Sequence, residues 1–153
     1  MIDYVLGFAM YEGRVWLIRK ARPAEQAGKL NGIGGKVEPG EHPDEAMVRE
    51  FKEEAGAVVE NWIQFGELTD NENYHVTIYR RDLTEEEDKE VQVFAWCSDI
   101  DNLDRDEPIY GPRISEVLKM DDLPYEVLSN LRLLLHAALL NKTHGAQLVL
   151  YQT

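Results

Sequence analysis

The chain has little that would tie it to a membrane, a polyanion or an oxidising compartment. It has one cysteine, Cys97, among 153 residues. A single thiol excludes an internal disulfide and any zinc site built from several thiolates, so Cys97 reads as a small core side chain. Positive charge is scarce: 16 Lys and Arg stand against 29 Asp and Glu, a net charge of −13. Such a surface repels phosphate backbones, and no nucleic-acid polymer is expected as a partner. Long apolar runs are missing too. The longest, residues 127–140, is interrupted by Ser129, Asn130, Arg132 and His136, so no membrane span is expected. The opening MIDYVLGFAM has no basic leader, and its apolar run is too short for a signal sequence. The expectation is a cytoplasmic enzyme or binding protein.

What is present is an ordinary globular composition, 44% hydrophobic and 29% charged. The length suits one domain, 1–153, with a proper core. Residues 2–10 read as a mostly buried strand and 15–19 as a second, after a turn at 11–14. Residues 21–31 read as a loop, and 33–38 as a glycine-rich segment in which Gly32, Gly34 and Gly35 allow close backbone approach. A helix is predicted over 43–55. Pro43 suits its first position, Asp44 and Glu45 its positive end, and Gly56 its stop. Residues 58–68, 74–81 and 91–97 read as strands, with the acidic TEEEDKE, 84–90, as a solvated hairpin tip between the last two. Residues 114–119 read as a short strand. Leu128, Leu131, Leu134, Leu135, Ala138 and Leu139 follow helical spacing, and 147–151 read as a last strand. The fold class predicted is α/β.

One stretch gathers like charge: GKVEPGEHPDEAMVREFKEEAG, residues 35–56, holds seven Asp or Glu. With Glu50 at zero on a helical wheel, Glu53 and Glu54 fall at about 300° and about 40°, so three carboxylates share one face. Met47, Val48, Phe51 and Ala55 fall at roughly 60° to 160° and form the buried side. Lys52 points away. Like charges at these spacings cost stability unless a cation sits among them. Hard divalent cations favour carboxylate and carbonyl oxygens, and the glycine segment before the helix could offer a bare carbonyl to the same ion. The competing explanation is a solvated acidic face; the metal reading is the sharper one.

Gly35, Glu41, Arg49, Glu50, Phe51, Glu53, Glu54, Gly56 and Ala57 fill the pattern G-x5-E-x7-R-E-U-x-E-E-x-G-U, where U is apolar. A chance match is on the order of one in ten million. This is a complete Nudix box, residues 35–57, and the chain resembles the Nudix hydrolases. The resemblance implies an α/β/α sandwich on a mixed β-sheet, with the box as a catalytic loop–helix–loop. It also implies cleavage of a pyrophosphate linkage in a nucleoside diphosphate joined to a group X, with Mg²⁺ or Mn²⁺ as cofactor. Position by position, Glu50, Glu53 and Glu54 match metal-binding glutamates, and the carbonyl of Gly34 matches a backbone ligand. Glu53 is also a candidate to activate water. Arg49 and Glu41 match residues that orient the cluster, and Lys20 and Lys36 could add phosphate contacts.

Outside the box, LNGIGGKVEPGE resembles the MutT-type branch, whose members act on oxidised purine nucleoside triphosphates such as 8-oxo-dGTP. There an asparagine four residues before the box glycine contacts the base, and Asn31 stands at that place; the tryptophan that often precedes it is Leu30 here. Residues 91–128 resemble the branch in layout. In that layout Glu107 matches a further metal-binding or base glutamate, and Tyr125 and Glu126 stand where some relatives carry purine-reading acids. The expected substrate is a small nucleotide, a nucleoside triphosphate cleaved to monophosphate and pyrophosphate, by a monomer or homodimer. A dinucleoside polyphosphate, to which Tyr74 roughly fits, is an alternative. An ADP-ribose-type substrate is another, although Asn73 stands where its proline is expected. An inert nucleotide-binding module would usually have lost box glutamates, and here all are present.

Overall fold

The computed structural model describes residues 1–96, 108–119, 130–140 and 149, and the backbone of 97–100, 148, 150 and 151. The first strand, β1 (Ile2–Tyr11), is buried on both sides. Its Leu6, Phe8 and Met10 face one core, and Val5 and Ala9 face the other. A tight turn leads into β2 (Arg14–Arg19), and β3 (Leu30–Asn31) and β4 (Ile33–Lys36) follow. Then come α1 (Pro43–Ala55), β5 (Ile63–Thr69), β6 (Tyr74–Asp82) and α2 (Glu85–Ile100). The chain continues through β7 (Ile109–Tyr110), α3 (Ile114–Leu118), α4 (Leu131–Leu140) and β8 (Leu148–Tyr151).

The strand order is β3-β2-β1-β6-β5-β8, with β4 pairing β1 and β7 pairing β2. Two pairings, β1 with β6 and β5 with β8, are parallel, and the other strand pairs are antiparallel. On one face Met47, Phe51 and Ala55 of α1 and Val91 of α2 pack on Val5, Ala9, Trp16 and Ile18. On the other, Val117 of α3 and Leu131, Leu134 and Leu135 of α4 cover Leu6, Phe8, Val15 and Leu17. This is the expected α/β/α sandwich on a mixed sheet. Among the described residues no helix is long and apolar enough to cross a membrane.

Three readings of the sequence are corrected. Residues 84–97 are neither hairpin tip nor strand but the approach to, and body of, α2. Thr84 starts it: Glu87 N–H donates to Thr84 Oγ1 at 3.2 Å, and Thr84 N–H donates to Glu87 Oε1 at 2.8 Å. That reciprocal pair is a capping box, and the acids that follow suit the positive end of the helix dipole. Asp88, Val91 and Ala95 then fall on one helical face toward the sheet, and Val93 and Trp96 are exposed. Residues 114–118 are helical because Ile114, Val117 and Leu118 meet α4 at a helical spacing. The strand read from 58 starts only at Ile63; Val59 and Trp62 are buried in the connection before it. A smaller change is that Leu30 and Asn31, read as loop, pair with β2. The side chain of Cys97 lies outside the described residues.

Asp88 carries the docking of α2. It is buried, accepts from Trp16 Nε1 at 2.8 Å and accepts from Gln92 Nε2 at 2.6 Å. In Asp88→Ala the indole N–H is left in the core without its acceptor, and stability falls by about 2 kcal/mol. Urea denaturation measures this; an unchanged midpoint would mean that the contact contributes nothing.

Candidate active site

The site begins with how α1 is started. His42 N–H donates to Glu45 Oε2 at 3.0 Å, and Asp44 N–H donates to His42 Nδ1 at 3.1 Å. Pro43 fits the first helical position because no partner is needed for its missing N–H. From β6, Tyr79 donates its hydroxyl to Asp44 Oδ1 at 2.6 Å and so fixes the first turn on the sheet. Burial, then the bond to and charge of Asp44, push the Tyr79 phenol well above its ordinary pKa, so it stays a donor.

The glycine segment is pressed between α1 and β1. Gly34 pairs with Leu6 and Gly35 with Val5. A Cβ on Gly34 would lie 1.9 Å from the Val5 carbonyl oxygen, and one on Gly35 would lie 2.5 Å from Glu50 Oε1. The space beside Gly35 is therefore the space the Glu50 carboxylate occupies. Next to it, Gly34 N–H donates to Glu54 Oε2 at 3.3 Å.

Arg49 joins the loop to the helix. Its Nε and Nη2 grip Glu41 at 2.9 and 3.0 Å, and Nη2 also donates to the Lys36 carbonyl at 2.9 Å. Nη1 reaches Glu50 Oε1 at 2.8 Å and Glu53 Oε2 at 3.4 Å. The Glu41 bond, ahead of an opposing burial effect and the Glu50 contacts, drives the guanidinium further above its usual pKa. Arg49 is a fixed charge in the middle of the acids.

The three glutamates on one face thus have three environments. The Glu50 side chain is only 12% exposed, that of Glu53 is 58% exposed, and Glu54 is pinned by Gly34. Burial raises the Glu50 pKa, against Arg49, which lowers it, while Glu53 and Glu41 add to the rise. A carboxyl raised in the folded state binds protons more readily there than in the unfolded chain. Its contribution to stability is present below the ordinary carboxyl range and is lost as pH rises through the raised value. Glu50→Gln is accordingly expected to raise the metal-free melting temperature at neutral pH and to flatten its fall above about pH 4.5. Thermal melts in EDTA across pH 4 to 8 check this, and a lower melting temperature at pH 7 would contradict it.

Among the described residues no three acidic, imidazole or thiol side chains converge as a preformed metal cage. The donor chemistry still fits a hard divalent cation: three carboxylates on one helix face, beside a glycine backbone with no side chain to block approach. Arg49 Nη1 stands between two of those carboxylates.

A cavity of about 620 Å³ opens next to this cluster. Gly34 and Gly35 form its wall toward the glutamates, and Lys20 and Asn31 also line it. Asn31 Oδ1 accepts from Gly32 N–H at 2.9 Å, which leaves its Nδ2 group to donate. Lys36 is exposed beyond the cavity wall and contributes its carbonyl to Arg49. Glu107, Tyr125 and Glu126 lie outside the described residues. The lining also includes Tyr74 and Asn73, which the sequence tied only to alternative substrates, and three residues it did not single out, Tyr4, Gln26 and Asn130, over a floor of Leu6, Leu68 and Val76. Tyr4 could have been found from its alternation with Leu6 along β1. Nothing local marks Asn130, whose carbonyl accepts from Leu134 N–H at the start of α4. Asn73 is held in its turn by Nδ2 donating to Asp70 at 2.8 Å.

Known proteins resemble this chain in sequence and in fold. The NUDIX domain model matches residues 3–135. The 8-oxo-dGTP diphosphatase of Escherichia coli (strain K12) is 32% identical over 112 residues, 69% of this chain and 87% of that protein. The CTP pyrophosphohydrolase of the same organism is 31% identical over 106 residues, 64% and 76% of the two chains. Among solved structures, the MutT protein from Bacillus halodurans superposes with a TM-score of 0.63 at 17% identity, over 94% of this chain and 85% of the other. The MutT NUDIX hydrolase from Burkholderia pseudomallei gives 0.62 at 22% identity, over 89% and 96%. At those identities the structures speak for the fold alone. The chain belongs to the Nudix family. It is a hydrolase acting on nucleoside phosphate anhydrides.

Proposed function

We propose that the chain hydrolyses a nucleoside triphosphate to a nucleoside monophosphate and pyrophosphate. The observation that carries this is the cavity of about 620 Å³ that runs up to Gly34 and Gly35, beside Glu50 and Glu54. Its volume suits a nucleoside, and its apolar sheet floor with amide side chains at the wall suits a flat heterocycle with polar edges. The two Escherichia coli relatives are named for different bases but both for triphosphates, which favours the triphosphate as the shared feature.

Glu50, Glu53 and Glu54, with the Gly34 carbonyl, would hold Mg²⁺ or Mn²⁺. Bound there, the ion would neutralise phosphate oxygens and lower the pKa of water. The chain's own residues do the rest. Arg49 keeps Glu50 and Glu53 oriented while Glu41 holds Arg49. Glu53, the more exposed of those two glutamates, takes the proton of the water that adds to phosphorus; the P–O–P bond opens and the pyrophosphate leaves. Tyr4 and Tyr74 give the base a platform, and Asn31 Nδ2 donates to its edge. The substrate is a free cytoplasmic nucleotide.

The test is a release assay with Mg²⁺ over ordinary and 8-oxo nucleoside triphosphates, ADP-ribose and a dinucleoside tetraphosphate. Preference for a triphosphate, with pyrophosphate released, supports the proposal. Preference for ADP-ribose removes the pocket assignment and leaves the box chemistry. Tyr74 in the cavity wall favours the dinucleoside polyphosphate as second reading, and preference for that compound would establish it.

A further inference from the structure

A chain of net charge −13 concentrates positive charge in one stretch of its sequence. Six of its 16 Lys and Arg, namely Arg14, Arg19, Lys20, Arg22, Lys29 and Lys36, lie within residues 14–36, where Glu25 is the single acid. Two of them oppose each other. The β2–β3 register pairs Ile18 with Asn31 and Arg19 with Leu30. It continues one step further, where Lys20 N–H donates to the Lys29 carbonyl at 2.9 Å and Gly28 N–H donates to the Lys20 carbonyl at 2.7 Å. Gly28, at a φ of 81°, and Lys29 together stand opposite Lys20, a bulge of the kind that needs glycine in its first position.

Residues opposite each other in an antiparallel ladder put their side chains on one face, as do residues two apart in one strand. Lys20, Lys29 and Asn31 therefore share a face, and Lys20 and Asn31 line the cavity. No acid pairs with Lys29 among the described residues. A polyanion lying along that face would meet the Lys29 charge.

We propose that Lys29, together with Lys20, binds the phosphate chain of the nucleotide at the edge of the cavity. The pair thereby selects nucleoside polyphosphates over nucleoside diphosphates joined to an uncharged sugar. The inference rests on the triphosphate reading above for its substrate, but the binding it predicts is measurable without turnover. The surrounding field of the chain is repulsive to anions, so a local basic face is also where such a substrate is drawn in.

The experiment is calorimetric titration of the full chain with inorganic tripolyphosphate in EDTA, which removes metal-bridged binding. The parent binds, and Lys29→Ala weakens binding about tenfold, the loss of one charge-assisted contact. Lys29→Arg restores it. Lys89→Ala, which removes the same charge from exposed α2, changes it by less than about twofold, as expected of a distant solvated charge. In turnover, Lys29→Ala raises KM for the triphosphate and leaves kcat and the KM for ADP-ribose in place. No binding by the parent, equal binding by Lys29→Ala, or equal weakening by Lys89→Ala overturns the proposal. Absence of triphosphate turnover in a parent that still binds tripolyphosphate through Lys29 would remove the triphosphate reading alone.

Discussion

Glu53→Gln is expected to fold as the parent does and to turn over its nucleotide about 10³-fold more slowly. The two halves of that expectation have separate physical grounds. Glu53 is 58% exposed and its contact with Arg49 is 3.4 Å, so its loss from the folded state is that of a surface pair, about 0 to 1 kcal/mol. Its loss from the reaction is larger. Glutamine keeps the shape but cannot take a proton, and a positioned base is worth roughly 10² to 10⁴ in rate. Glu54→Gln is expected to lose a similar factor, because it removes a charge from the same face; its Gly34 contact can still be made through the amide oxygen. Steady-state kinetics beside a thermal melt separate the effects. Near-normal turnover in both variants would sink the assignment of the box glutamates.

A methyl group on either of two adjacent glycines is expected to have a large and different effect. Gly34→Ala drives its Cβ to within 1.9 Å of the Val5 carbonyl oxygen, backbone against backbone. Neither side can rotate away, so β1 and β4 must separate, at a cost of about 3 kcal/mol or more. Gly35→Ala meets the Glu50 carboxylate at 2.5 Å instead. That is the end of a side chain, and it can yield. The fold survives, but Glu50 leaves Arg49 Nη1 and the face it shares with Glu53 and Glu54, and kcat falls about 10²-fold, as misplacement of an active group by about an ångström does. Soluble yield and urea midpoints for both variants, with kcat for Gly35→Ala, test this. A Gly34→Ala chain as stable as the parent would contradict the close approach drawn here.

Where the sequence was legible, the determinants were near neighbours. Pro43, the early acids and Gly56 bound α1, and the observed helix has the predicted limits. The wheel placed Met47, Phe51 and Ala55 inside, and they are buried. The failure at 84–97 has a local lesson as well. Thr84 and Glu87 are a readable capping box, but alternation of Val91, Gln92 and Val93 imitates a half-exposed strand. The helix prevails because Asp88, three residues before Val91, meets Trp16, 72 positions earlier in the chain. No window of the sequence contains both partners.

The acidic face of α1 divides in the same way. Helical spacing alone brings Glu50, Glu53 and Glu54 to one side and sets Lys52 apart, because that geometry depends only on residues within one turn. Their inequality is tertiary. Glu50 is buried because β4 presents a glycine beneath it, and Glu54 is tethered because the same strand turns an N–H toward it. The cavity is tertiary throughout: Tyr4, Lys20, Asn31, Tyr74 and Asn130 come from points spread along most of the chain. The sequence by itself determined the family, the helix that carries the acids and their shared face, all of which follow from periodicity and short-range hydrogen bonds. Only the tertiary structure decided which glutamate is buried, that Lys29 stands across from Lys20, and which side chains wall the cavity. Those depend on which strands become neighbours, and strand pairing is a contact between residues remote in sequence.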